Sequence, residues 1–537
     1  MHLYGSLRSS ARKNPEKTAL VSGSRRISYR ELVWAVEDFS SKMEAMGLTR
    51  GDRIGLLMKN GPEFVVTFYA AMKLGLIAVG LNVMFRKSEL EYILKDCGAR
   101  VVVAEHGLAD VLRETVPAAR GDIALLPAEE VMKEGDFRGR MATSGRAGFE
   151  DRLIEPYPGR PEDDAVIAYT SGTTGFPKGA VHTQSNILAH LEGVRRHLGF
   201  NEKDVFLASL PFFQLVAFLI HPVMAIYVGG TVVILEKFEP EGFLRAAKTE
   251  GVTFFAAVPT IYQMLDAATA ETGRALRSVR MGICAGSPLS AELRESFEKR
   301  HSFRIVHCYG MTETALIVAC EDPWAPPRGV SVGRVLPHVR VRIVREDGTP
   351  AGRAESGEIQ VGAERALRVY WGKPGETADA LREGWFATGD VGRFDESQHL
   401  HIVDRKKDMI IRGGFNVYPA ELERVLLSDP RIAEAAVVGI PHERLGEIPI
   451  AFVALRHPGT ATSKDILDSC REHLASFKVP GEVEIVEPDF FPRNALGKIV
   501  KPELRSRILG RRAGPAKTHS PAAEAGAPGV VSTKYRK

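Results

Sequence analysis

The sequence contains few cysteines, and they are not spaced as ligands or as a disulfide framework. Its 537 residues include five cysteines, none of them in a C-x-x-C pair, so neither a disulfide-stapled fold nor a zinc site is indicated. The first residues, Met1 to Lys17, lack the apolar core of a secretory signal. These absences together favour a protein of the reducing cytoplasm.

A long uninterrupted apolar run is also missing. The nearest approach is the stretch 215–235, which is interrupted by His221, Pro222 and the pair Gly229-Gly230. A membrane-spanning helix needs about 20 consecutive apolar residues. The stretch therefore predicts a buried helix, a turn and a strand, and any membrane association is expected to be peripheral at most.

The chain has no large excess of charge of one sign. Its 71 basic and 67 acidic residues give a formal net charge of +4, and this balance gives no reason to expect a nucleic-acid partner. The length and the hydrophobic content of 44% are sufficient for two or more cores. Whether the chain forms a homodimer is left open by the sequence.

The most informative stretch is Tyr169–Gly179, which reads Y-T-S-G-T-T-G-F-P-K-G. Its glycines and hydroxyl residues allow the backbone to curl around an anion, and Lys178 adds a positive charge for phosphate oxygens. Gly172 and Gly175 are too close together for the Walker A pattern of P-loop NTPases. A flexible linker is the alternative interpretation, but a linker does not need a lysine at a set position.

The flanks of this phosphate loop predict its structural context. An apolar run at 166–169 predicts a strand leading into the loop, and helical spacing resumes at Asn186. We therefore expect a strand, the loop and then a helix.

Strands and helices alternate elsewhere in the chain, which predicts βαβ units and a parallel sheet. A capping-box pattern at Ser28–Glu31 begins a helix that ends at Gly47. The remaining segments predicted here are strands at 54–58, 77–81, 101–104, 231–235, 254–258 and 280–285, and helices at 63–73 and 89–95.

The stretch Tyr169–Gly179 resembles the AMP-binding signature of the adenylate-forming superfamily, which includes acyl-CoA synthetases, firefly luciferases and peptide-synthetase adenylation domains. Further motifs in family order extend the resemblance over about residues 5–508. It implies an α/β fold with a large multi-subdomain N-terminal domain of packed sheets and helices at 1–403 and a small mobile α+β lid domain at 404–510. The remainder, 511–537, has few large apolar residues and is expected to be a disordered tail.

The resemblance implies an ATP site that holds Mg²⁺. The run 307–313 resembles the family motif Y-G-x-T-E, in which the tyrosine stacks on adenine and the glutamate helps to bind Mg²⁺. Tyr309 and Glu313 take these roles here, and a carboxylate oxygen is a ligand that Mg²⁺ prefers. A solvated surface glutamate is the plain alternative for Glu313.

Two further motifs imply contacts with the ribose and a hinge. The T-G-D motif implies that Asp390 binds the ribose hydroxyls, the alternative being a loop aspartate that caps its own backbone. In the D-R-x-K-D element, Arg405 would assist ribose binding and Lys407 would be the hinge.

The complete set of implied site residues is as follows. Catalytic roles fall to Thr170, Lys178, Glu313 and Lys498, and Mg²⁺ binding falls to Thr170 and Glu313. The implied nucleotide- and coenzyme-binding residues are Ser171, Gly172, Thr173, Thr174, Gly175, Lys178, Gly286, Ser287, Pro288, His307, Tyr309, Gly310, Met311, Thr312, Asp390, Arg405, Lys407, Gly413, Gly414 and Lys498.

The implied chemistry has two steps, and ATP, Mg²⁺ and coenzyme A (CoA) are its implied cofactors and co-substrates. A carboxylate would displace pyrophosphate from ATP, with Lys498 bridging the α-phosphate and the carboxylate. The lid would then rotate so that the Gly413-Gly414 loop replaces Lys498 and guides the thiol of CoA to the acyl-adenylate. A non-catalytic protein of this fold would be expected to have lost Lys498 or Glu313, and both are present.

The acid-binding segment departs from the family pattern. Gln214 stands where many acyl-CoA synthetases have a histidine, and the neighbouring residues carry no charge to meet a second carboxylate or an α-amine. The residues expected around it are apolar, namely Phe212, Phe213, Val216, Phe218, Phe254 and Phe255. This pattern predicts a medium- or long-chain fatty acid. The alternatives are an aryl acid, a different thiol acceptor, or a luciferase-like oxygenase, which shares these motifs.

Overall fold

A computed structural model of the chain describes residues 2–108, 112, 123–133, 139, 141, 148–170, 177–268, 275–301, 303–329, 331–412, 415–474, 476–493 and 497–513. The loop residues 171–175, the pair Gly413-Gly414 and the tail from residue 514 therefore lie outside the described residues. The chain forms two compact units, Met1–Lys407 and Asp408–Lys537. This agrees with the expected α/β chain of one large N-terminal and one smaller C-terminal domain.

The strands are numbered in chain order. In the first unit they are β1 Thr18–Ser22, β2 Arg25–Ser28, β3 Arg53–Leu57, β4 Ile77–Gly80, β5 Val101–Ala104, β6 Ala124–Pro127, β7 Asp164–Thr170, β8 Lys178–Thr183, β9 Val205–Ala208, β10 Thr231–Ile234, β11 Phe254–Ala257, β12 Met281–Cys284, β13 Arg304–Gly310, β14 Ile317–Cys320, β15 Arg334–Val335, β16 Val341–Val344, β17 Gly357–Gly362, β18 Val369–Tyr370, β19 Leu381–Arg382, β20 Trp385–Phe394 and β21 Leu400–Arg405. In the second unit they are β22 Ile410–Arg412, β23 Phe415–Val417, β24 Ile432–His442, β25 Gly446–Leu455 and β26 Glu482–Ile485.

The helices are numbered in the same way. They are α1 Leu3–Lys13, α2 Tyr29–Ala45, α3 Pro62–Leu74, α4 Lys87–Cys97, α5 Gln184–Leu198, α6 Leu215–Phe218, α7 Met224–Val228, α8 Pro240–Glu250, α9 Pro259–Ala267, α10 Ala291–His301, α11 Pro374–Ala380, α12 Pro419–Leu427, α13 Ser463–His473 and α14 Lys501–Ala513. A π-helix, Leu219–Val223, joins α6 to α7. No helix in the described part of the chain has the length and apolarity needed to cross a bilayer.

Three sheets form the first unit as described. Their strand orders are β15-β14-β13-β12-β11-β9-β10-β1-β2, then β18-β8-β7-β4-β3-β5-β6, then β16-β17-β20-β19 with β21 beside β20. The strands β9 to β13 of the first sheet pair in parallel, as do β3, β4 and β5 of the second. The predicted alternation and parallel pairing are therefore confirmed.

Local signals in the sequence account for several elements. The side chain of Ser28 accepts a hydrogen bond from the backbone N–H of Glu31, and the Glu31 carboxylate accepts one from the backbone N–H of Ser28. The predicted capping box therefore begins α2. The interrupted apolar stretch folds as α6, the π-helix, α7 and then β10, so the predicted buried helix, turn and strand are confirmed.

The second unit has one five-stranded sheet, in the order β23-β22-β25-β24 with β26 beside β25. Side chains alternate across β24 and β25, so that Val437 and Val453 join one core while Val438 and Phe452 join another. The residues of both cores belong to this unit alone. Its elements follow in the order β22, β23, α12, β24, β25, α13, β26 and α14, which agrees with the predicted α+β class, and α14 extends into the predicted tail as far as Ala513.

The division between the units falls after Lys407 rather than at residue 403. The reason is that β21 pairs with β20, which places Asp404 opposite Val391 and Arg405 opposite Asp390. The segment carrying Arg405 is thereby held in a sheet of the first unit.

The tryptophans are unevenly distributed. Trp34 is buried in the core at 1% exposure, and Trp324 is 70% exposed. The other two are Trp371, at the end of β18, and Trp385, at the start of β20. All four tryptophans of the sequence therefore belong to the first unit.

Candidate functional site

The ends of the predicted phosphate loop form an antiparallel pair. Thr170, the last residue of β7, lies opposite Lys178, the first residue of β8. The predicted order of strand, loop and helix is therefore wrong, because a second strand intervenes before α5 begins at Gln184. Both predicted catalytic residues at the loop are fixed on a sheet, while the loop residues between them lie outside the described part.

Glu313 lies beside one end of this loop. It belongs to a 3-10 helix, Thr312–Thr314, that follows directly after β13. Its Oε1 atom accepts a hydrogen bond from Oγ1 of Thr170 at 3.3 Å and another from the hydroxyl of Tyr370 at 3.3 Å. The two residues predicted to bind Mg²⁺, 143 positions apart in sequence, are therefore neighbours.

The donor set at this point fits Mg²⁺. A carboxylate and a hydroxyl are hard oxygen ligands, and Mg²⁺ is typically held by one or two carboxylates together with phosphate oxygens and water. No cluster of three or more histidine, cysteine or acidic residues suited to a metal is found among the described residues. Such a site would therefore depend on the phosphates of ATP to complete the coordination.

Lys178 is held between a carboxylate and an aromatic ring. Its Nζ atom lies 2.5 Å from Oε2 of Glu376 and 5.5 Å from the centroid of the Tyr370 ring. The lysine side chain is 17% exposed and that of Glu376 36%. An ammonium above a ring face is attracted by the ring quadrupole, so both neighbours help to hold the lysine side chain at the loop.

A second cluster is centred on Asp390. Its Oδ2 atom accepts a hydrogen bond from the hydroxyl of Tyr309 at 2.7 Å, and its Oδ1 atom accepts one from Nε of Arg405 at 2.9 Å. Tyr309 and Asp390 are 9% and 7% exposed. Burial and the neighbouring carboxylate raise the pKa of Tyr309 well above its ordinary value, so its hydroxyl stays protonated and continues to donate.

Asp390 lies inside the long strand β20, so it is not the loop aspartate of the alternative interpretation. The preceding Gly389 has a φ of 71°, a conformation that favours glycine, and the pairing of β20 with its neighbours shifts register around this point. Thr388 lies on one side of this irregularity, and its hydroxyl accepts a hydrogen bond from the backbone N–H of Asp390 at 3.0 Å.

Backbone contacts hold the strand end that carries Tyr309 and Glu313. A Cβ added to Gly310 would lie 2.1 Å from the carbonyl oxygen of Leu316, so only glycine fits there. The Nε2 atom of the buried His182 lies 2.8 Å from the carbonyl oxygen of Thr312. Met311 precedes the 3-10 helix and its backbone N–H donates to the hydroxyl of Thr314 at 3.2 Å.

The other predicted adenine-binding residues occupy two environments. Gly286, Ser287 and Pro288 follow β12, and the Ser287 hydroxyl donates to the carbonyl of Gly286 at 2.8 Å. His307 is buried within β13, with Nδ1 lying 3.3 Å from the carbonyl of Ser331. Burial lowers the pKa of His307 to about 4, so its ring is neutral at neutral pH.

The remaining predicted residues lie at the boundary and in the second unit. Lys407 is exposed in the 3-10 helix Lys406–Asp408, where the first unit ends. Lys498 is exposed and lies between the bridge residues Arg493 and Ile499. The residues Gly413 and Gly414 lie outside the described part, between β22 and β23.

The predicted ring of apolar residues around Gln214 is wrong in part. Phe254 and Phe255 are adjacent on β11 and therefore face opposite sides of the sheet, where they pack against Phe200 and Phe243 in two different cores. They do not share one pocket. Gln214 itself is half-buried just before α6, and its side chain makes no capping hydrogen bond.

Phe212 and Phe218 remain together, and aromatic rings of α3 fill the space beside them. The centroid of Phe218 lies 5.4 Å from that of Phe212, 5.0 Å from Phe64 and 4.8 Å from Phe68. These four side chains are no more than 3% exposed. The aromatic cluster is therefore closely packed.

Two residues of the site were not predicted, Tyr370 and Glu376. Tyr370 lies on a strand of two residues, 57 positions after the glutamate that it contacts. A strand of that length has no periodicity, and a lone tyrosine carries no motif. The sequence therefore offers no signal for either contact.

Two models of known protein families match the chain. The family model described as AMP-binding enzyme matches residues 7–371, and the one described as AMP-binding enzyme C-terminal domain matches residues 421–498.

Curated relatives match along nearly the whole chain. A feruloyl-CoA synthase of Amycolatopsis is 34% identical over 505 residues, which is 93% of this chain and 97% of the relative. A 2-succinylbenzoate–CoA ligase of Geobacillus kaustophilus is 34% identical over 498 residues, 92% and 96% of the two chains. A long-chain-fatty-acid–CoA ligase of Bacillus subtilis is 30% identical over 532 residues, 94% of each.

Solved structures match the fold. The ATP-bound MatB of Rhodopseudomonas palustris has a TM-score of 0.84 at 28% identity, covering 95% of this chain and 99% of that one. The anthranilate CoA ligase AuaEII in complex with anthranoyl-AMP has a TM-score of 0.85 at 26% identity, covering 96% and 98%.

Proposed function

Because the chain belongs to the AMP-binding family of adenylate-forming enzymes and is an AMP-forming acid–CoA ligase, we propose that its substrate is an aromatic carboxylic acid. The acid reacts with ATP to give an acyl-adenylate and pyrophosphate, and the acyl group then passes to the thiol of CoA. ATP binding is supported by the ATP-bound relative of similar fold. We also propose a cytoplasmic location, which the five free, buried cysteines support.

The nucleotide is proposed to lie against the two clusters of the first unit. Asp390 accepts hydrogen bonds from the ribose hydroxyls, and Tyr309 and Arg405 hold the carboxylate in place through both of its oxygens. Lys178 is proposed to bind the phosphates that leave as pyrophosphate. Positioning and neutralisation of charge supply most of the rate enhancement in such a reaction.

Thr170 and Glu313 are proposed to hold Mg²⁺. When bound there, Mg²⁺ neutralises the charge that develops on the phosphates. The Oε1 atom of Glu313 accepts from two hydroxyl donors, so its other oxygen would remain to hold the metal. Lys498 of the second unit is proposed to bridge the α-phosphate and the acid during adenylation.

The aromatic cluster is the observation that carries the choice of acid. Phe64, Phe68, Phe212 and Phe218 already fill the space beside the acid-binding segment, so a long flexible chain would have to displace them. The flat ring of an aromatic acid would extend less far than a long chain and would not have to displace these side chains. Gln214, half-buried at the same segment, can donate to and accept from a polar ring substituent.

A fatty acid is the second candidate substrate. It is the substrate that the sequence predicts, and the long-chain-fatty-acid–CoA ligase of Bacillus subtilis is 30% identical over 94% of this chain. The aromatic cluster weighs against long straight chains.

The two candidates are separated by measuring pyrophosphate release and CoA thioester formation across a panel of acids. The panel contains benzoate- and cinnamate-type aryl acids, with and without a ring hydroxyl, and straight-chain acids from two to eighteen carbons. We expect kcat/KM to be highest for an aryl acid and to be higher with the hydroxyl than without it. A maximum at a long straight chain would overturn the aryl proposal in favour of the fatty acid. Preferential turnover of amino acids would contradict both.

A further inference from the structure

Tyr370 contacts two groups that the proposed reaction uses, Glu313 and Lys178. Its hydroxyl donates to Oε1 of Glu313 at 3.3 Å, and its ring centroid lies 5.5 Å from Nζ of Lys178. Thr170 donates to the same glutamate oxygen. One side chain therefore connects the predicted metal ligand with the predicted phosphate-binding lysine.

The backbone of Tyr370 is held from three directions. The strand β18 pairs with β8, which places Tyr370 opposite Ala180 just beyond the phosphate loop. The hydroxyl of Thr377 accepts a hydrogen bond from the backbone N–H of Tyr370 at 3.0 Å. Leu367, just before β18, donates to the carbonyl oxygen of Glu313 at 2.6 Å. The position of the ring is therefore set by the same backbone that positions the loop and Glu313.

The protonation state of Tyr370 suits a hydrogen-bond donor. A tyrosine hydroxyl is protonated near neutral pH, and the hydroxyl of Tyr370 lies 3.3 Å from Oε1 of Glu313, so it can act as the donor. Because this proton is donated to Oε1, the carboxylate cannot rotate freely, and its second oxygen is directed elsewhere. The bond is longer than usual for a hydroxyl and a carboxylate, so a moderate effect is expected from its loss.

We infer that Tyr370 is a positioning residue that couples the metal site to the phosphate site. Its hydroxyl orients Glu313 towards Mg²⁺, and its ring holds the Lys178 ammonium at the phosphates. This inference rests on the proposed function, because it assumes that Glu313 and Lys178 act on Mg²⁺ and ATP. It adds a residue, and two separable roles for that residue, to the site.

The two roles predict different results for Tyr370→Phe and Tyr370→Leu. The phenylalanine variant keeps the ring and loses the hydroxyl, whereas the leucine variant loses both. The affinity for ATP is measured by titration calorimetry on the full chain, first in EDTA and then with saturating Mg²⁺. The ratio of the two affinities is the gain that the metal provides, and the affinity in EDTA reports on the phosphate contacts alone.

For Tyr370→Phe we expect the metal-dependent gain to fall about fivefold, the effect of losing one modest hydrogen bond, while the affinity in EDTA is unchanged. For Tyr370→Leu we expect the same loss of the gain and, in addition, a fall of about threefold to tenfold in EDTA, because the contact between the ring and the ammonium is lost. Equal losses in both titrations for both variants would mean that Tyr370 is only structural, and would overturn the inference.

Two further variants complete the test. Tyr227→Phe removes a hydroxyl that donates to Glu192 at 2.9 Å, between α7 and α5, and should change neither titration. Glu313→Gln should abolish most of the metal-dependent gain. If Glu313→Gln leaves the gain intact, the proposed metal site is wrong. If Glu313→Gln removes the gain but Tyr370→Phe does not, the metal site stands and the positioning role of Tyr370 is refuted.

Discussion

At the scale of single residues, Asp390 is the most constrained group of the site. Each of its oxygens accepts from a different partner, Tyr309 and Arg405, and its backbone N–H is bound by Thr388. The carboxylate can therefore present its remaining lone pairs in one direction only. A residue held in this way is suited to recognising the ribose without reorganisation when the nucleotide arrives.

Asp390→Asn is expected to weaken ATP binding by roughly tenfold to a hundredfold, because bonds to a charged acceptor are replaced by bonds to a neutral one. The affinity is measured by equilibrium dialysis with radiolabelled ATP. The matched control is Asp395→Asn, in the turn that joins β20 to β21, where the carboxylate accepts from the backbone of Ser397 and His399. Equal effects of the two substitutions would indicate a general loss of structure rather than a lost ribose contact.

Gln214→His is expected to change acid preference more than ATP affinity, since the family resemblance implies histidine at this place and the side chain lies just before α6, on the segment proposed to bind the acid. The relative kcat/KM values for hydroxylated and unsubstituted aryl acids are the measurement. An altered KM for ATP with an unchanged order of acids would show that the segment does not contact the acid.

At the scale of elements, the end of β13 matters because it positions both the residue proposed to bind adenine, Tyr309, and the residue proposed to bind the metal, Glu313. Gly310 lies between Tyr309 and the 3-10 helix that carries Glu313, and the carbonyl of Leu316 closes the space where a Cβ would be. This contact joins β13 to the segment that leads into β14. The packing of two backbones, rather than a side chain, therefore sets the distance between the two clusters.

Gly310→Ala is expected to lower the thermal denaturation midpoint and to reduce ATP affinity together, because the added carbon would overlap a backbone oxygen and the strand end must move. Gly242→Ala in α8 is the control, since its nearest neighbours would lie 3.9 Å away and alanine is favoured over glycine in a helix by about 1 kcal/mol. Calorimetric melting of both variants is the measurement. A Gly310→Ala protein as stable and active as the parent would contradict the close approach.

The secondary-structure elements also show which features of the fold could be predicted from the sequence. Capping at Ser28, apolar runs and the alternation of strand and helix were sufficient to predict most of the parallel strands, since these signals are local. The strand β8 was missed because Lys178–Thr183 follows the loop without a turn signal that separates it from the helix. The pocket around Gln214 was partly wrong because adjacent residues of β11 face opposite ways, and sequence proximity does not reveal this without the strand register.

The same distinction applies to the site. Thr170, Glu313, Asp390, Tyr309 and Arg405 were predicted from motifs, and the structure brings them into two clusters. Their roles towards nucleotide and metal stay predictions. Tyr370 was not predicted, because its contacts depend on a strand of two residues whose place in the sheet is set by long-range pairing.

At the scale of the whole molecule, the proposed reaction uses both units. Lys498→Ala is expected to lower the rate of acyl-adenylate formation by a hundredfold or more, because a charge that bridges the reacting groups is lost. A synthetic acyl-adenylate should still react with CoA. Single-turnover assays of each half-reaction provide the measurement. Lys407→Pro should leave acyl-adenylate formation intact and slow the transfer to CoA, since proline fixes φ at the proposed hinge. A folded Lys498→Ala protein that fails equally in both half-reactions would contradict the two-step division of labour.

Buried histidines make the first unit sensitive to acid. Burial lowers the pKa of His182, His221 and His307 to about 4, against about 6.5 in an unfolded chain. Between these values the unfolded state binds more protons, so stability is full above pH 6.5 and is lost as the pH falls towards 4. Each group changes the free energy of unfolding by at most about 1.4 kcal/mol per pH unit. Urea denaturation followed by circular dichroism should show this decline, and a midpoint that stays constant from pH 6.5 to 4.5 would contradict it.

The distribution of tryptophan has a practical consequence. Since all four indoles belong to the first unit, intrinsic fluorescence excited at the indole band reports on that unit and leaves the second one silent. Trp371 directly follows Tyr370, and its indole N–H donates to the carbonyl of Asp96 at 3.1 Å, so its emission is placed to respond to events at the phosphate loop. A change in this emission can therefore be assigned to the first unit, without any attached dye.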